Sequence, residues 1–147
     1  MMHFTILCVG KLKEEYMRKA VADYVLRLSK YAKTEVIEVG ESDIPGEGDA
    51  LLRRLAPGSC VVAMDLHGKM IDSPALASWI SQKTLSGTSH FTFVIGGSDG
   101  IDSRICQMAD LRLCLSPMTF THQMTRLILA EQLYRAMKIY AGEKYHK

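Results

Sequence analysis

Five short runs rich in apolar residues punctuate the chain: Phe4 to Val9, Glu35 to Val39, Cys60 to Leu66, Phe91 to Ile95 and Leu111 to Leu115. They read as strands buried on both faces rather than as strands with one wet face, and such strands belong to parallel sheets clad in helices. The stretches between them carry helical spacing. Glu14 to Tyr31 places Met17, Ala20, Val21, Tyr24, Val25 and Leu28 on one side. The segment Gly40 to Gly48, acidic and interrupted by Pro45, reads as a loop before a short helix from Asp49 to Leu55, which stops at Pro57-Gly58. A His67-Gly68 turn closes the third strand. Ser73 then reads as the cap of a helix with Pro74 in its first position, running through Leu76, Ala77, Trp79 and Ile80 towards Gly87. A short helix from Asp102 or Ser103 to Met108 precedes the fifth strand, and the longest helix runs from about Thr121 to Tyr140, ended at Gly142. Strand and helix alternating in this way predict an α/β fold with a mainly parallel sheet flanked by helices. A chain of 147 residues suits one domain, 1–147.

Composition removes several function classes. Apolar residues at 48% and charged ones at 23% argue against disorder. No apolar run reaches the length of a membrane span. The start Met1-Met2-His3-Phe4-Thr5 lacks the pattern of a signal peptide, so a cytoplasmic protein is expected. Cys8, Cys60, Cys106 and Cys114 form no CxxC pair, and three of them sit in apolar runs. Buried thiols are therefore expected rather than disulfides or a metal site. The net charge of +2 hides an uneven distribution: residues 11–33 and 117–147 are basic, and residues 34–50 carry only acids. Two basic segments could form a footprint for a polyanion, but charge alone favours solvated helix faces.

In open parallel sheets ligands sit beyond the carboxyl ends of the strands. Three loops hold such positions: the one after Met64-Asp65-Leu66, the glycine loop Gly96-Gly97-Ser98-Asp99-Gly100, and Leu115-Ser116-Pro117-Met118-Thr119-Phe120. The glycine loop lacks GxGxxG spacing, and no P-loop is present, so dinucleotide and P-loop readings lose their signature. By itself GGxxG is also an ordinary tight turn. Pro117 and Met118 suit clamping a flat apolar ligand, or simply a strand-to-helix turn. The last helix carries Met124, Leu127, Ile128, Ala130, Leu133, Tyr134, Met137 and Tyr140, an apolar surface wide enough to suggest a homodimer contact. Arg126 and Arg135 lie on it, each suited to a phosphate or to a pair with Glu131. The end Tyr145-His146-Lys147 offers an aromatic ring, an imidazole and an ammonium group for stacking, titration and phosphate contact.

Taken together these stretches resemble the ribosomal RNA large subunit methyltransferase H family, a branch of the SPOUT (α/β-knot) methyltransferases. The resemblance rests on Leu7-Cys8-Val9-Gly10-Lys11-Leu12-Lys13, Ala22-Asp23-Tyr24 with Arg27-Leu28, Phe93 to Gly100, Leu115 to Gln123, Glu131 to Ala136 and the Tyr145-His146-Lys147 end. It implies a C-terminal trefoil knot, an exception to the rule against knotted chains. It also implies a homodimer and S-adenosylmethionine as cofactor, with cofactor positions at Met64, Gly96, Leu115, Ser116, Pro117, Met118, Thr119 and Phe120. The reaction it implies is methylation at N3 of pseudouridine 1915 of 23S rRNA in the assembled ribosome, without a metal. Two departures stand out: the Gly40 to Leu55 segment is shorter than the family's, and Thr121 replaces a proline before His122-Gln123.

Methyl transfer needs the sulfonium carbon in line with the target nitrogen, and an imide nitrogen must lose its proton. His146 is the expected base, Tyr145 the residue that stacks on or bonds to the nucleobase, and Arg126 a holder of phosphate or developing anion. Arg135 and Lys147 are the expected RNA contacts. Two other readings compete: another nucleotide-using α/β enzyme, and a ribosome-associated RNA-binding protein of the same fold without turnover.

Overall fold

A computed structural model describes residues 1–147. Five strands, β1 (Met2–Val9), β2 (Ala32–Val39), β3 (Cys60–Met70), β4 (His90–Ile95) and β5 (Leu111–Cys114), form one sheet in the order β2-β1-β4-β3-β5. Every neighbouring pair is parallel. Five helices connect or follow them: α1 (Glu15–Leu28), α2 (Ile44–Arg54), α3 (Ser73–Leu85), α4 (Ser103–Met108) and α5 (His122–Tyr140).

The period-2 geometry of the strands divides the core into two layers. Phe4, Ile6, Cys8, Val62, Met64, Phe91, Phe93 and Ile95 face α1, α3 and α5. Leu7, Val9, Val61, Ala63 and Val94 face α2 and α4 through Leu51 and Ile105. Phe4, Phe91 and Phe93 are fully buried, each contributing about 1.5–3 kcal/mol of transfer free energy. α5 lies in the groove between α1 and α3, so Leu129, Ala130, Leu133, Ala136 and Met137 all vanish from the surface. Much of the width of its apolar surface is thus absorbed within the chain.

Three expectations are corrected. The Gly40 to Gly48 loop is in part a helix: α2 begins at Ile44, because Asp43 Oδ1 accepts the Gly46 N–H at 2.8 Å and Pro45 stands in the first turn, where its missing donor costs nothing. The glycines tolerated there fit tight packing, since a Cβ on Gly48 would lie 1.9 Å from Asp102 Oδ2. The His67-Gly68 turn is instead part of β3, which bulges after Met64 and pairs again with β5 through Lys69 and Met70. Gly68 is required at that bulge, where a Cβ would meet the Arg112 backbone at 2.7 Å. The cap of α3 is Asp72 rather than Ser73, its Oδ1 accepting the Ala75 N–H at 2.8 Å.

Candidate active site

The carboxyl ends of β3 and β5 open into a cleft of about 460 Å³. Ile71, Asp72, Ser73 and Leu76 form one wall, Leu113 to Leu115 and Phe120 another, and Ile128, Gln132 and His146 close it. Such a volume lies in the range of small-molecule sites, and the lining mixes apolar side chains with a few polar groups. The Asp72 carboxylate sits at the N-terminus of α3, and Ser73 Oγ donates to Gln132 Oε1 at 2.5 Å across the opening.

Of the eight expected cofactor positions, Leu115 and Phe120 line this cleft directly. Ser116 to Thr119 continue from its rim: Ser116 Oγ accepts the Met118 N–H at 3.0 Å, which tightens the turn and leaves Met118 74% exposed. Met64 is buried in the core beside β5, paired with Leu113. Gly96 is held by its own loop, since a Cβ there would meet the Gly100 carbonyl oxygen at 2.6 Å, and the place of a Gly97 Cβ is taken by the Glu47 carboxylate. Gly96 is therefore required by close packing of backbone on backbone, whereas at Gly97 the neighbour is the end of a side chain. Asp72, Ser73, Ile128 and Gln132 were not expected at the site from sequence. The signal available was the Asp-Ser-Pro helix start directly after a strand, together with a glutamine on an otherwise apolar helix face.

Thr121 starts α5 soundly: its Oγ1 accepts the Met124 N–H at 3.1 Å, so the absence of a proline does not leave the helix start uncapped. At the other end Gly142, with φ of 71°, turns the chain back. Glu143 N–H donates to the Lys138 carbonyl and Gly142 N–H to that of Ile139, a Schellman closure. Glu143 is then held by Tyr31 Oη at 2.8 Å and Lys138 Nζ at 3.2 Å. The tail consequently lies along α5 instead of leaving it.

Glu131 is the centre of that return. Its carboxylate accepts from Arg135 Nη2 at 3.0 Å and from the Tyr145 hydroxyl at 2.9 Å. The Arg135 guanidinium stacks on the Tyr145 ring at 4.8 Å and donates through Nη1 to His146 Nδ1 at 3.1 Å. The Tyr145 ring also meets Tyr134 edge-on at 5.0 Å. Burial foremost, then the bond to Glu131, pushes the Tyr145 hydroxyl up to about 12, so it stays protonated. Its hydroxyl points into the protein, and through it Tyr145 anchors the tail. Arg135 is likewise committed to Glu131 and His146, whereas Lys147 is exposed.

Arg126 stands apart from this cluster. It is 1% exposed, donates through Nη1 to Glu38 Oε2 at 2.6 Å and through Nη2 to the Gly10 carbonyl at 3.1 Å. An arginine so enclosed ties α5 to the carboxyl ends of β1 and β2 and offers no face to a phosphate. Of the expected catalytic trio, the tail pair Tyr145 and His146 meets at one site and Arg126 does not join it.

The four cysteines are unpaired; burial foremost raises Cys8 to about 12, and Cys60 and Cys106 to about 11. No group of three or more His, Cys, Asp or Glu side chains is placed to hold a metal ion, and no helix is long and apolar enough to cross a membrane.

Residues 2–146 match the family model described as "Predicted SPOUT methyltransferase". The chain is 44% identical to the ribosomal RNA large subunit methyltransferase H of Carboxydothermus hydrogenoformans, covering 99% of this chain and 100% of that one. It is 45% identical to the protein of the same name from Acetivibrio thermocellus, again over 99% and 100%. These alignments run over 159 positions against 147 residues here, so the relatives carry residues that this chain lacks. Among solved structures, a probable methylase family protein from Haemophilus influenzae Rd KW20 superposes with a TM-score of 0.56 at 11% identity, over 99% of this chain and 71% of that one. A TrmH/SpoU tRNA modifying enzyme from A. aeolicus does so with a TM-score of 0.52 at 13% identity, over 97% and 78%. The two structural likenesses carry the fold.

Proposed function

The chain belongs to the SPOUT methyltransferase family, with ribosomal RNA large subunit methyltransferase H proteins as its relatives, and from that premise we propose that it methylates N3 of pseudouridine 1915 in 23S rRNA of the assembled ribosome. S-adenosylmethionine supplies the methyl group, carried on a positively charged sulfur. One observation carries the reading most directly: Leu115 and Phe120 of the β5–α5 loop meet His146 of the tail in a single cleft at the carboxyl ends of β3 and β5.

Each part of the cleft has a job in this reading. Leu113, Leu115, Phe120 and Ile128 would give apolar walls to hold the cofactor, and Met64 and Gly96 set the strand ends on which those walls stand. Asp72, Ser73 and Gln132 would supply polar contacts to the cofactor. The rim, Ser116 to Thr119, would border the bound molecule. Holding the methyl carbon and the target nitrogen in line is the largest contribution a protein makes to such a transfer. Tyr145 and His146 mark the side from which the base enters, with Lys147 beside them for RNA phosphate. Arg126 acts at a distance, fixing α5.

A knotted C-terminal chain is part of the proposal. Residues 65–70 support it, because they bulge away from β5 after Met64, return to pair at Lys69 and Met70, and set Gly68 against the Arg112 backbone. So is a homodimer, supported by Met118, Phe120 and Met124, which stand exposed just before and in the first turn of α5. A ribosomal substrate places the protein in the cytoplasm.

Calorimetry with S-adenosylmethionine and tritium transfer to ribosomes lacking the modification test the reading. Wild type is expected to bind the cofactor and label 23S rRNA, and Leu115→Trp, which fills the cleft, to lose both. Absence of cofactor binding by wild type would overturn it.

A further inference from the structure

The imidazole of His146 touches the protein through one nitrogen, and its partner decides what the other can do. That partner is Arg135, whose Nη1 lies 3.1 Å from Nδ1. A guanidinium has five donors, no acceptor and no accessible deprotonated form. Nδ1 must therefore present its lone pair, and the single proton of the neutral ring sits on Nε2. Arg135 is not free to turn away, because Glu131 grips it through both Nε, at 3.3 Å, and Nη2, at 3.0 Å. The same carboxylate takes the Tyr145 hydroxyl, so the residue next to His146 is pinned by the same anchor.

We propose that Glu131 and Arg135 hold His146 as its Nε2–H tautomer, making it a hydrogen-bond donor into the cleft rather than the general base that its residue type suggests. This rests on the methyltransferase reading above and sharpens the role of its tail. To accept a proton at Nε2 the neutral ring would need its hydrogen on Nδ1, where it would face an Arg135 N–H. That juxtaposition of two donors is disfavoured while the Glu131–Arg135 pair stands. Tyr145 cannot replace it as the base, since its proton is donated to Glu131. In the transfer the N3 lone pair forms the bond to the methyl carbon, the carbon–sulfur bond breaks with its electron pair going to sulfur, and the N3 proton passes to solvent water. As that proton leaves, negative charge spreads onto the two carbonyl oxygens flanking N3. An Nε2–H aimed there stabilises it, as oxyanion donors do in acyl transfer. Glu131 and Arg135 are positioning residues in this scheme.

The tautomer is read directly from long-range ¹⁵N–¹H correlation spectra of the full chain labelled at histidine, with His146→Gln identifying the signal. Wild type is expected to show a protonated Nε2 and a bare Nδ1, and Arg135→Leu to show a mixture. An Nδ1–H pattern in wild type overturns the proposal. The second arm is steady-state methylation of ribosomes. His146→Ala is expected to lower kcat on the order of 100-fold with cofactor affinity unchanged, the size of one lost oxyanion donor. His146→Gln, whose amide nitrogen sits near the Nε2 position and which cannot serve as a base, is expected to recover to within roughly tenfold of wild type. If the glutamine variant is as impaired as alanine, the donor role fails. Ribosomes left unlabelled by wild type, with the Nε2–H signature intact, would overturn the methyltransferase reading and with it the catalytic use of the donor.

Discussion

The ion pair between Arg126 and Glu38 separates a structural brace from a substrate contact, and its removal can be sized. Arg126 is enclosed at 1% exposure, and its Nε has no hydrogen-bond partner, so Glu38 and the Gly10 carbonyl are all that compensate its charge. Removing one partner of a buried pair costs about 3–5 kcal/mol, because the remaining charge is left uncompensated. Glu38 is 35% exposed, so water reaches the vacated end, and about 2–3 kcal/mol is the better figure for Glu38→Ala. At roughly 2–4 °C per kcal/mol for a chain of this size, Tm falls by about 4–12 °C. Arg126→Met removes the charge itself and is expected to cost less, and the double variant to be no worse than Glu38→Ala alone. Scanning calorimetry at one fixed protein concentration measures all four proteins, so that any dimer equilibrium is held constant. Methylation is assayed on the same samples. A brace predicts lowered Tm with kcat kept within about tenfold, whereas a residue holding developing anion would cost about 100-fold or more in kcat. Glu38→Ala within about 2 °C of wild type, or Arg126→Met with wild-type Tm and a kcat lowered more than about 100-fold, would refute the reasoning.

Thr121→Ala should lose about 1 kcal/mol with the cap bond to Met124, seen as a small drop in urea midpoint, while Thr121→Pro should be close to neutral. The reason is that Thr121 has φ of −61° and its N–H makes no backbone hydrogen bond, so proline fits and restricts the unfolded chain. Gly48→Ala should destabilise by about 1–3 kcal/mol by forcing Asp102 off its place, against almost nothing for Gly40→Ala, which has open space; equal urea midpoints would contradict this. His90 gives a pH test. Burial foremost, then His3 stacked on it at 3.9 Å, holds His90 below the ordinary histidine range, with Lys33 adding to that and Glu35 opposing it. The unfolded chain therefore takes the proton first, and stability declines as pH falls through about 6.5 until the folded value is passed. His90→Gln should flatten the dependence of the urea midpoint between about pH 7 and 5, and an unchanged slope would count against it.

The sheet was legible because its strands are buried on both faces and therefore apolar nearly throughout, and α5 because Thr121 and Gly142 mark its ends in residue type. The short helices were less so. α2 contains Pro45, Gly46 and Gly48, each a poor helix former by propensity, and its existence depends on contacts distant in sequence. Gly48 makes room for Asp102, and Glu47 occupies the space beside Gly97 while accepting the Ser42 N–H at 3.0 Å. Strand order was beyond reach for the same reason. Nothing in β3 announces that residues beyond its bulge pair again with β5.

The acid run from 34 to 50 shows why the site was legible only in part. Read as composition it is a solvated loop, yet nearly every member answers a particular partner. Glu35 accepts from His3 at 2.9 Å, Glu38 compensates Arg126, Asp43 caps α2, Glu47 backs the glycine loop, and Asp49 meets Arg104 at 2.8 Å. Basic residues behave alike: Arg126 and Arg135, suited by type to phosphate, are each spent on a carboxylate inside the chain. Residue type thus gave the right inventory for a polyanion enzyme but not the assignment of each charge. The same holds for His146. An imidazole in a tail reads as a base, and it is the guanidinium at 3.1 Å from Nδ1 that leads to the donor role proposed for it. What a titratable group does is settled by the partner on its far side, and that partner is supplied by the turn at Gly142, not by the residues beside it in sequence.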